Sequence, residues 1–321
     1  KFAPEGYEIT EAPFPVFSYK QAMLEFGTDK PDLRNPLRIV DVTDFFQRCA
    51  FKPFHNKTVR AIKVHAGMSK GFHEKLLDYA LSIGMGGLGY LEVQEDMTYK
   101  GPIDKYIPEE IKGELAQIAG LIPGDVIFFI ADREKLACKY AGLIRNELGK
   151  RLDLCEKKAY RFCYVNDFPM YEIDEETGKI KFTHNPFSMP QGGLEALNSN
   201  DPLEILAYQY DIVCNGVELS SGAVRNHDLD IMVKAFEIAG YDEETLKKKF
   251  AALYNAFQYG APPHAGMAPG IERMIMLLRN EENIREVVAF PMNSNAQDPL
   301  CGAPSEVTEQ QLREVHIKIR N

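Results

Sequence analysis

Residues 262–278 read PPHAGMAPGIERMIMLL. Small residues alternate with apolar ones up to Gly270, and a helical apolar pattern then runs from Ile271 to Leu278 with Glu272 and Arg273 in its first turn. The pattern predicts an extended, glycine-interrupted strand over Gly260 to Gly270 feeding straight into a helix. Small residues let a ligand approach the backbone, a helix N-terminus favours anions, and arginine adds permanently charged planar donors suited to phosphate oxygens. Taken alone, the segment fits equally well a helix whose Arg273 pairs with an acidic neighbour.

Upstream, residues 209–228 read QYDIVCNGVELSSGAVRNHD. Asn215-Gly216 sits in the middle of a β-rich stretch from Tyr208 to Arg225, and that dipeptide suits the positive φ angles of a tight hairpin turn. Glu218 and Arg225 follow the turn, seven residues apart. An odd offset puts two side chains on opposite faces of a regular strand, so a pocket shared by both requires a bulge or bend, expected at Ser220-Ser221-Gly222. Without it, the two read as surface charges on an amphipathic strand.

Working outward, Ser18 to Gly27 reads as a short helix with Ser18 as N-cap, Gln21 as its capping-box partner and Gly27 just past the end. The preceding KFAPEGYEITEAPFPVF shows neither helical nor strand period. It does not begin with Met, and the numbering is expected to start inside a longer chain. The run Asp29 to Pro36 breaks all periodicity and marks a domain boundary. Between 37 and 150 strands and helices mix: strands at Leu37 to Val42, Thr58 to Val64, Gly89 to Gln94 and Asp125 to Ala131, helices at Gly71 to Ile83, Glu109 to Ala119 and Glu134 to Leu148. Beyond this α+β module come a hairpin candidate from Tyr171 to Phe182, a Gly/Pro/Asn-rich loop from Asn185 to Asp201, and helices at Ile231 to Gly240 and Glu243 to Tyr259. The expected division is 1–36, 37–150 and 151–321.

The 321 residues are 45% hydrophobic and 26% charged, the composition of an ordinary globular chain. No window approaches the roughly 18 apolar residues of a membrane span and no signal pattern opens the chain; a cytoplasmic protein with no membrane partner is expected. A formal charge of -10 argues against a nonspecific nucleic-acid coat, while leaving room for RNA held by a local basic patch. The six scattered cysteines have no metal-ligand spacing and are expected as reduced thiols. Gly84-Met85-Gly86-Gly87-Leu88-Gly89 matches a dinucleotide-binding string, but here a helix leads in and a strand leads out, the reverse of what places phosphate at a helix N-terminus.

On these motifs the chain resembles the class II aminoacyl-tRNA synthetases, and within them the bacterial-type aspartyl branch. GMAPGIERMIMLL is similar to motif 3 of that class, and the resemblance implies that Gly270, Ile271, Glu272 and Arg273 line an ATP site, Arg273 on the terminal phosphates. The 209–228 stretch resembles the aspartyl branch's strand pair. The resemblance then implies that Glu218 faces ATP and its Mg²⁺, and that Arg225 binds the side-chain carboxylate of L-aspartate. Lys181-Phe182-Thr183-His184-Asn185-Pro186-Phe187 resembles the branch's His-His-Pro-Phe stretch, whose first histidine helps close over aspartate; only His184 carries over, since Asn185 stands in the second place. Phe26 to Arg34, Asn283-Ile284-Arg285 and Ala289-Phe290-Pro291 also match. The implied fold is an α+β one: part of the class II antiparallel-sheet catalytic core, with residues 37–150 as the inserted (GAD-like) domain of bacterial-type enzymes.

The implied reaction is ATP-dependent activation of aspartate and transfer to tRNA-Asp, with tRNA-Asn left open, by an enzyme that is a homodimer at full length. Motifs 1 and 2 and the anticodon-binding domain are not found in the sequence; Arg161-Phe162 is the nearest echo of motif 2 and lies on the wrong side of the insertion. The fragment alone is therefore expected to be inactive. A noncatalytic tRNA- or amino-acid-binding paralogue is the alternative, disfavoured by the joint presence of Glu218, Arg225 and Arg273. An asparaginyl or lysyl enzyme is disfavoured by the insertion.

Overall fold

The computed structural model describes residues 2–320. The chain forms two compact units, one covering Gly6–Pro269 and the other the residues from Gly270 onward with the first few of the chain.

In the larger unit, β1 (Glu8–Ile9) and β2 (Val16–Ser18) lie in a stretch expected to be irregular, and α1 (Tyr19–Phe26) follows. β1 and β2 are too short to show a period; each is held in parallel by a distant stretch, β1 by Ala159 and Tyr160 and β2 by Tyr164, Val165 and Asn166. Ser18 caps α1 by accepting the Gln21 amide N–H, and Gly27 closes it in the left-handed region at φ +69°. The reciprocal half of the capping box is not made, and the Gln21 side-chain NH₂ donates along the helix to Glu25 at 2.7 Å.

After the loop come β3 (Ile39–Asp41), α2 (Thr43–Gln47), β4 (Thr58–His65), α3 (Lys70–Ser82), β5 (Gly89–Val93), β6 (Tyr99–Lys100), α4 (Lys112–Ala119), β7 (Asp125–Asp132) and α5 (Glu134–Arg151). The strands form one antiparallel sheet in the order β3-β4-β7-β5-β6. The apolar run of β7 is explained by helices on both faces. Val126, Phe128 and Ile130 pack with Leu76 of α3 and Ile144 of α5, whereas Ile127 and Phe129 pack with Phe46 of α2 and Leu115 of α4. The glycine string at 84–89 lies between α3 and β5, with the helix leading in.

The chain then adds β8 (Ala159–Tyr160), β9 (Phe162–Pro169), the hairpin β10 (Tyr171–Ile173) and β11 (Ile180–Phe182), α6 (Gly193–Ser199), β12 (Leu206–Cys214), β13 (Val217–Val224), α7 (Leu229–Ile238), α8 (Glu243–Lys249), α9 (Ala251–Phe257) and β14 (Ala265–Pro269). A second sheet has the order β14-β13-β12-β9-β2, antiparallel except for the β2–β9 edge. The helix expected over Glu243 to Tyr259 is two helices, broken where Phe250 leaves helical geometry at φ -123°, ψ 37°. The strand expected over Gly260 to Gly270 is shortened to β14, since Gly260 takes φ +83° and two prolines precede His264. The smaller unit contains α10 (Ile271–Arg279), closed by Asn280 in the left-handed region, and α11 (Glu309–Glu314). Among the described residues no helix is long and apolar enough to cross a membrane, and all six cysteines are free.

Candidate functional site

The β12–β13 hairpin sets the geometry of the site. Asn215 and Gly216 both take positive φ, 52° and 81°, as a tight primed turn requires. The Asn215 side chain locks the turn to the next strand, accepting from the Arg161 N–H at 2.8 Å and donating to the Ala159 carbonyl at 2.8 Å. Beyond the turn, Val213 faces Glu218 but Ile212 faces Ser220, so Leu219 is an extra residue. The phase is thus reset at Leu219, just ahead of the Ser220-Ser221-Gly222 position expected, because the two-against-one pairing falls one residue earlier. Removing Leu219 from the alternation puts Glu218, Ser221, Ala223 and Arg225 on one face, beside Gln209 and Asp211 of β12. Gly222, on the other face, is needed for close approach: a Cβ there would lie 2.4 Å from the Tyr210 ring and 2.5 Å from the Gly266 carbonyl.

Two groups of side chains use this face. In the first, the loop after α1 brings Lys30 to 3.4 Å from Glu218 and 2.6 Å from Asp29. Asp211 is 5% exposed; burial, with the charges of Glu218 and Asp29, pushes its carboxyl up to about 6 against the pull of the Ser221 hydroxyl and Lys30. Burial works against charge on Lys30, but its hydrogen bond to Asp29 and the charges of Asp29, Glu218 and Asp211 outweigh this and hold its pKa above the ordinary lysine value. His184 stands edge-on to Phe168 at 4.9 Å between ring centroids, with Tyr19 at 6.1 Å. Its pKa is lowered by burial foremost, while Asp29 and Glu218 lie close enough to pull the other way.

The second group lines a cavity of about 600 Å³ bounded by Asn185, Ser221, Arg225, His264 and the backbone of β14. The Arg225 N–H donates to the His264 carbonyl at 2.9 Å, and its guanidinium lies 5.6 Å from the Phe187 ring centroid. Asn185, in the place of a second histidine, holds the loop: its side chain accepts the Phe187 N–H at 3.0 Å and its carbonyl accepts from Gln209 at 3.1 Å. Carboxylates gathered about one lysine, a neutral-leaning histidine and an arginine can hold an amphoteric ligand with both ammonium and carboxylate groups, or a cation carried by phosphate.

His184, Glu218 and Arg225 thus lie in the larger unit around one strand face. Gly270, Ile271, Glu272 and Arg273 form the cap and first turn of α10 in the other unit. Gly270 caps it with extended backbone at φ -85° and no side-chain hydrogen bond, and Ile271 is 66% exposed. Arg273 lies on that first turn, at the helix's N-terminal end. Sequence reasoning gave no site role to Asp29, Lys30 or Asp211, and read Ser221 only as part of the expected bulge. For Asp211 a signal existed: Gln209 and Asp211 are polar at alternate positions of a strand that continues into buried Val213. Among the described residues no three His, Cys, Asp or Glu side chains gather as a metal site.

The family profile described as tRNA synthetases class II (D, K and N) matches residues 3–294. The chain belongs to the class II tRNA synthetases. Among relatives of this class II chain, the aspartate–tRNA ligase of Streptomyces coelicolor is 54% identical over 317 residues, covering 98% of this chain and 54% of the relative. The aspartate–tRNA(Asp/Asn) ligase of Gluconobacter oxydans is 51% identical over 326 residues, covering 99% of this chain and 54% of the relative. This class II chain therefore spans about half the length of the curated relatives it matches.

Proposed function

We propose that this chain carries the aspartate-selecting side of an aspartate–tRNA ligase. The observation that supports this most directly is the extra residue Leu219, which puts Glu218 and Arg225 on one strand face despite their odd spacing. Arg225 offers a fork of donors to the side-chain carboxylate of L-aspartate, the group that separates it from asparagine. A buried donor set left unmatched by the wrong ligand can discriminate by factors on the order of 10⁴. His184 closes over the bound amino acid, and the Asp29 carboxylate suits its ammonium group. Gly270, Ile271, Glu272 and Arg273 line the ATP site, with Arg273 on the terminal phosphates.

Mg²⁺ characteristically takes one or two carboxylates together with substrate phosphates, and Asp211 with Glu218 is such a pair, its mutual repulsion relieved by a cation. When bound, the ion neutralises charge on the pyrophosphate that leaves. The carboxylate oxygen of aspartate forms a bond to the α-phosphorus of ATP while the bond to the β-phosphate oxygen breaks, giving aspartyl-adenylate and pyrophosphate. A hydroxyl of the tRNA's 3′ adenosine then displaces AMP. No side chain serves as nucleophile; Arg225, His184 and Lys30 position and compensate charge.

Residues 37–150 are read as the inserted domain of a cytoplasmic enzyme that is a homodimer at full length. Relatives named aspartate–tRNA ligase and aspartate–tRNA(Asp/Asn) ligase stand at similar identity, so a charging assay takes both tRNA-Asp and tRNA-Asn. The deciding measurement is aspartate-dependent ATP–pyrophosphate exchange by the full-length protein. Arg225→Ala is expected to lower kcat/KM for aspartate by about 10²-fold or more, and Arg273→Ala to raise the KM for ATP about ten-fold or more. Unchanged exchange in Arg225→Ala overturns the assignment of aspartate selection to that residue.

A further inference from the structure

We propose that Arg145, in the segment read as the inserted domain, is a positioning residue for the candidate pocket: its guanidinium fixes the loop that holds Asp29 and Lys30 beside Glu218. The inference rests on the reading of that pocket as an aspartate site.

Arg145 lies on α5 and is 0% exposed. Its Nε donates to the Leu37 carbonyl at 2.7 Å, and its Nη2 to the carbonyls of Asp32 and Asn35 at 2.9 and 2.7 Å. The remaining nitrogen, Nη1, donates to the Asn146 side-chain oxygen at 3.3 Å. Asn35 returns the contact, donating to the Arg145 carbonyl at 2.9 Å and accepting the Leu37 N–H at 3.1 Å. Three carbonyls of one loop are thus tied to a single side chain from more than a hundred residues away.

Among the described residues no carboxylate forms an ion pair with this buried charge, and only the nearby Asp32 favours it. Asp32 is engaged by Arg34 at 2.7 Å, and burial, with Arg38 nearby, pushes the Arg145 pKa down to about 10. A buried guanidinium without a counter-ion is a poor way to stabilise a fold, since apolar residues of similar volume do as well or better. What it does supply is one defined conformation for the carbonyls it binds.

The loop needs that definition. Beside it lies an open cavity of about 490 Å³ lined by Lys30, Asp32, Asn35, Asn146 and Lys150, so packing alone does not hold it. Lys30, two residues before the first tethered carbonyl, makes the ion pair with Glu218. If the loop is released, Lys30 and Asp29 occupy their positions only part of the time, and apparent affinity falls by that fraction.

The test uses aspartate-dependent pyrophosphate exchange by the full-length enzyme, with active sites titrated. Arg145→Met is expected to raise the KM for aspartate about ten-fold while kcat per active site changes by less than about three-fold. Asn35→Ala, which removes the reciprocal bonds, should raise KM in the same sense, and Arg145→Lys should recover part of the loss. In a Lys30→Met background the Arg145→Met effect should shrink to about two-fold or less, because both act through one group. Unchanged KM in Arg145→Met and Asn35→Ala, with only the number of active sites falling, overturns the proposal and leaves Arg145 purely structural; so does full additivity with Lys30→Met. Absence of aspartate-dependent exchange in the unmodified enzyme overturns instead the reading of the pocket, and this proposal with it.

Discussion

Asp211 shows how a single buried carboxyl ties stability to ligand binding. Its pKa of about 6, raised by burial first and then by Glu218, lies above the ordinary carboxylate value near 3.9. Below about pH 4 the group is protonated folded or unfolded and contributes nothing to pH dependence. Between about 4 and 6 the folded chain retains a proton that the unfolded chain has released, so stability falls as pH rises, and above 6 the full penalty remains. Asp211→Asn should therefore raise the thermal midpoint at pH 7.5, with the difference closing as pH approaches 4, and should weaken Mg²⁺-dependent ATP binding by about ten-fold or more. A lower midpoint at pH 7.5 with intact nucleotide binding would rule out both assignments. Residues of this kind are hard to read in sequence. His184, Glu218 and Arg225 stood out through recognisable flanking motifs, whereas Asp211 matters because of what pairs across the strand, and Arg145 looks like any solvated helix arginine until its burial is known.

Elements were legible where the signal is local. The Asn215-Gly216 turn, the Ser18 and Gly27 ends of α1, the apolar run of β7 and the length of α10 all follow from caps, turn chemistry or periodicity. Parallel pairing of β1 and β2 with distant strands was not legible, since two or three residues carry no period. The bulge was legible as a necessity rather than a place: seven residues between Glu218 and Arg225 demand one extra residue, but cross-strand pairing decides that it is Leu219. A sharp expectation follows. Deleting Leu219 leaves an even offset on a regular strand and keeps the two side chains on one face. That variant should retain aspartate-dependent exchange within about ten-fold, at a stability cost of roughly 2–3 kcal/mol for the lost buried leucine. Inserting one alanine between Ser221 and Gly222 should abolish exchange, because it moves Arg225 to the opposite face. Loss of activity in the deletion with the fold intact would mean that the bulge itself, rather than the phase it sets, builds the pocket.

At the scale of the larger unit, the two sheets are joined through α5, and the joint is made of glycines. A Cβ on Gly142 would lie 2.7 Å from the Gly27 carbonyl, one on Gly27 2.4 Å from the Cys138 carbonyl, and one on Gly149 2.4 Å from the Asn35 amide. In sequence Gly142 and Gly149 look like weaknesses in a helix, because what they permit is contact with a residue more than a hundred positions away. That is also why the strand orders of both sheets were out of reach of local reasoning, although the mixture of strands and helices in the 37–150 segment was not. Gly142→Ala gains helix propensity but must displace backbone on α1, an overpacking cost of about 1–3 kcal/mol, and should lower the unfolding midpoint by several degrees at roughly 2–4 °C per kcal/mol. Gly113→Ala in α4, where a Cβ meets nothing within 4 Å, supplies the comparison: the same change in open space should stabilise by about 0.5–1 kcal/mol. Thermal unfolding of the two variants separates the readings, since a rise in both midpoints would show that α5 and α1 can part without cost and that the register between the two sheets is set elsewhere.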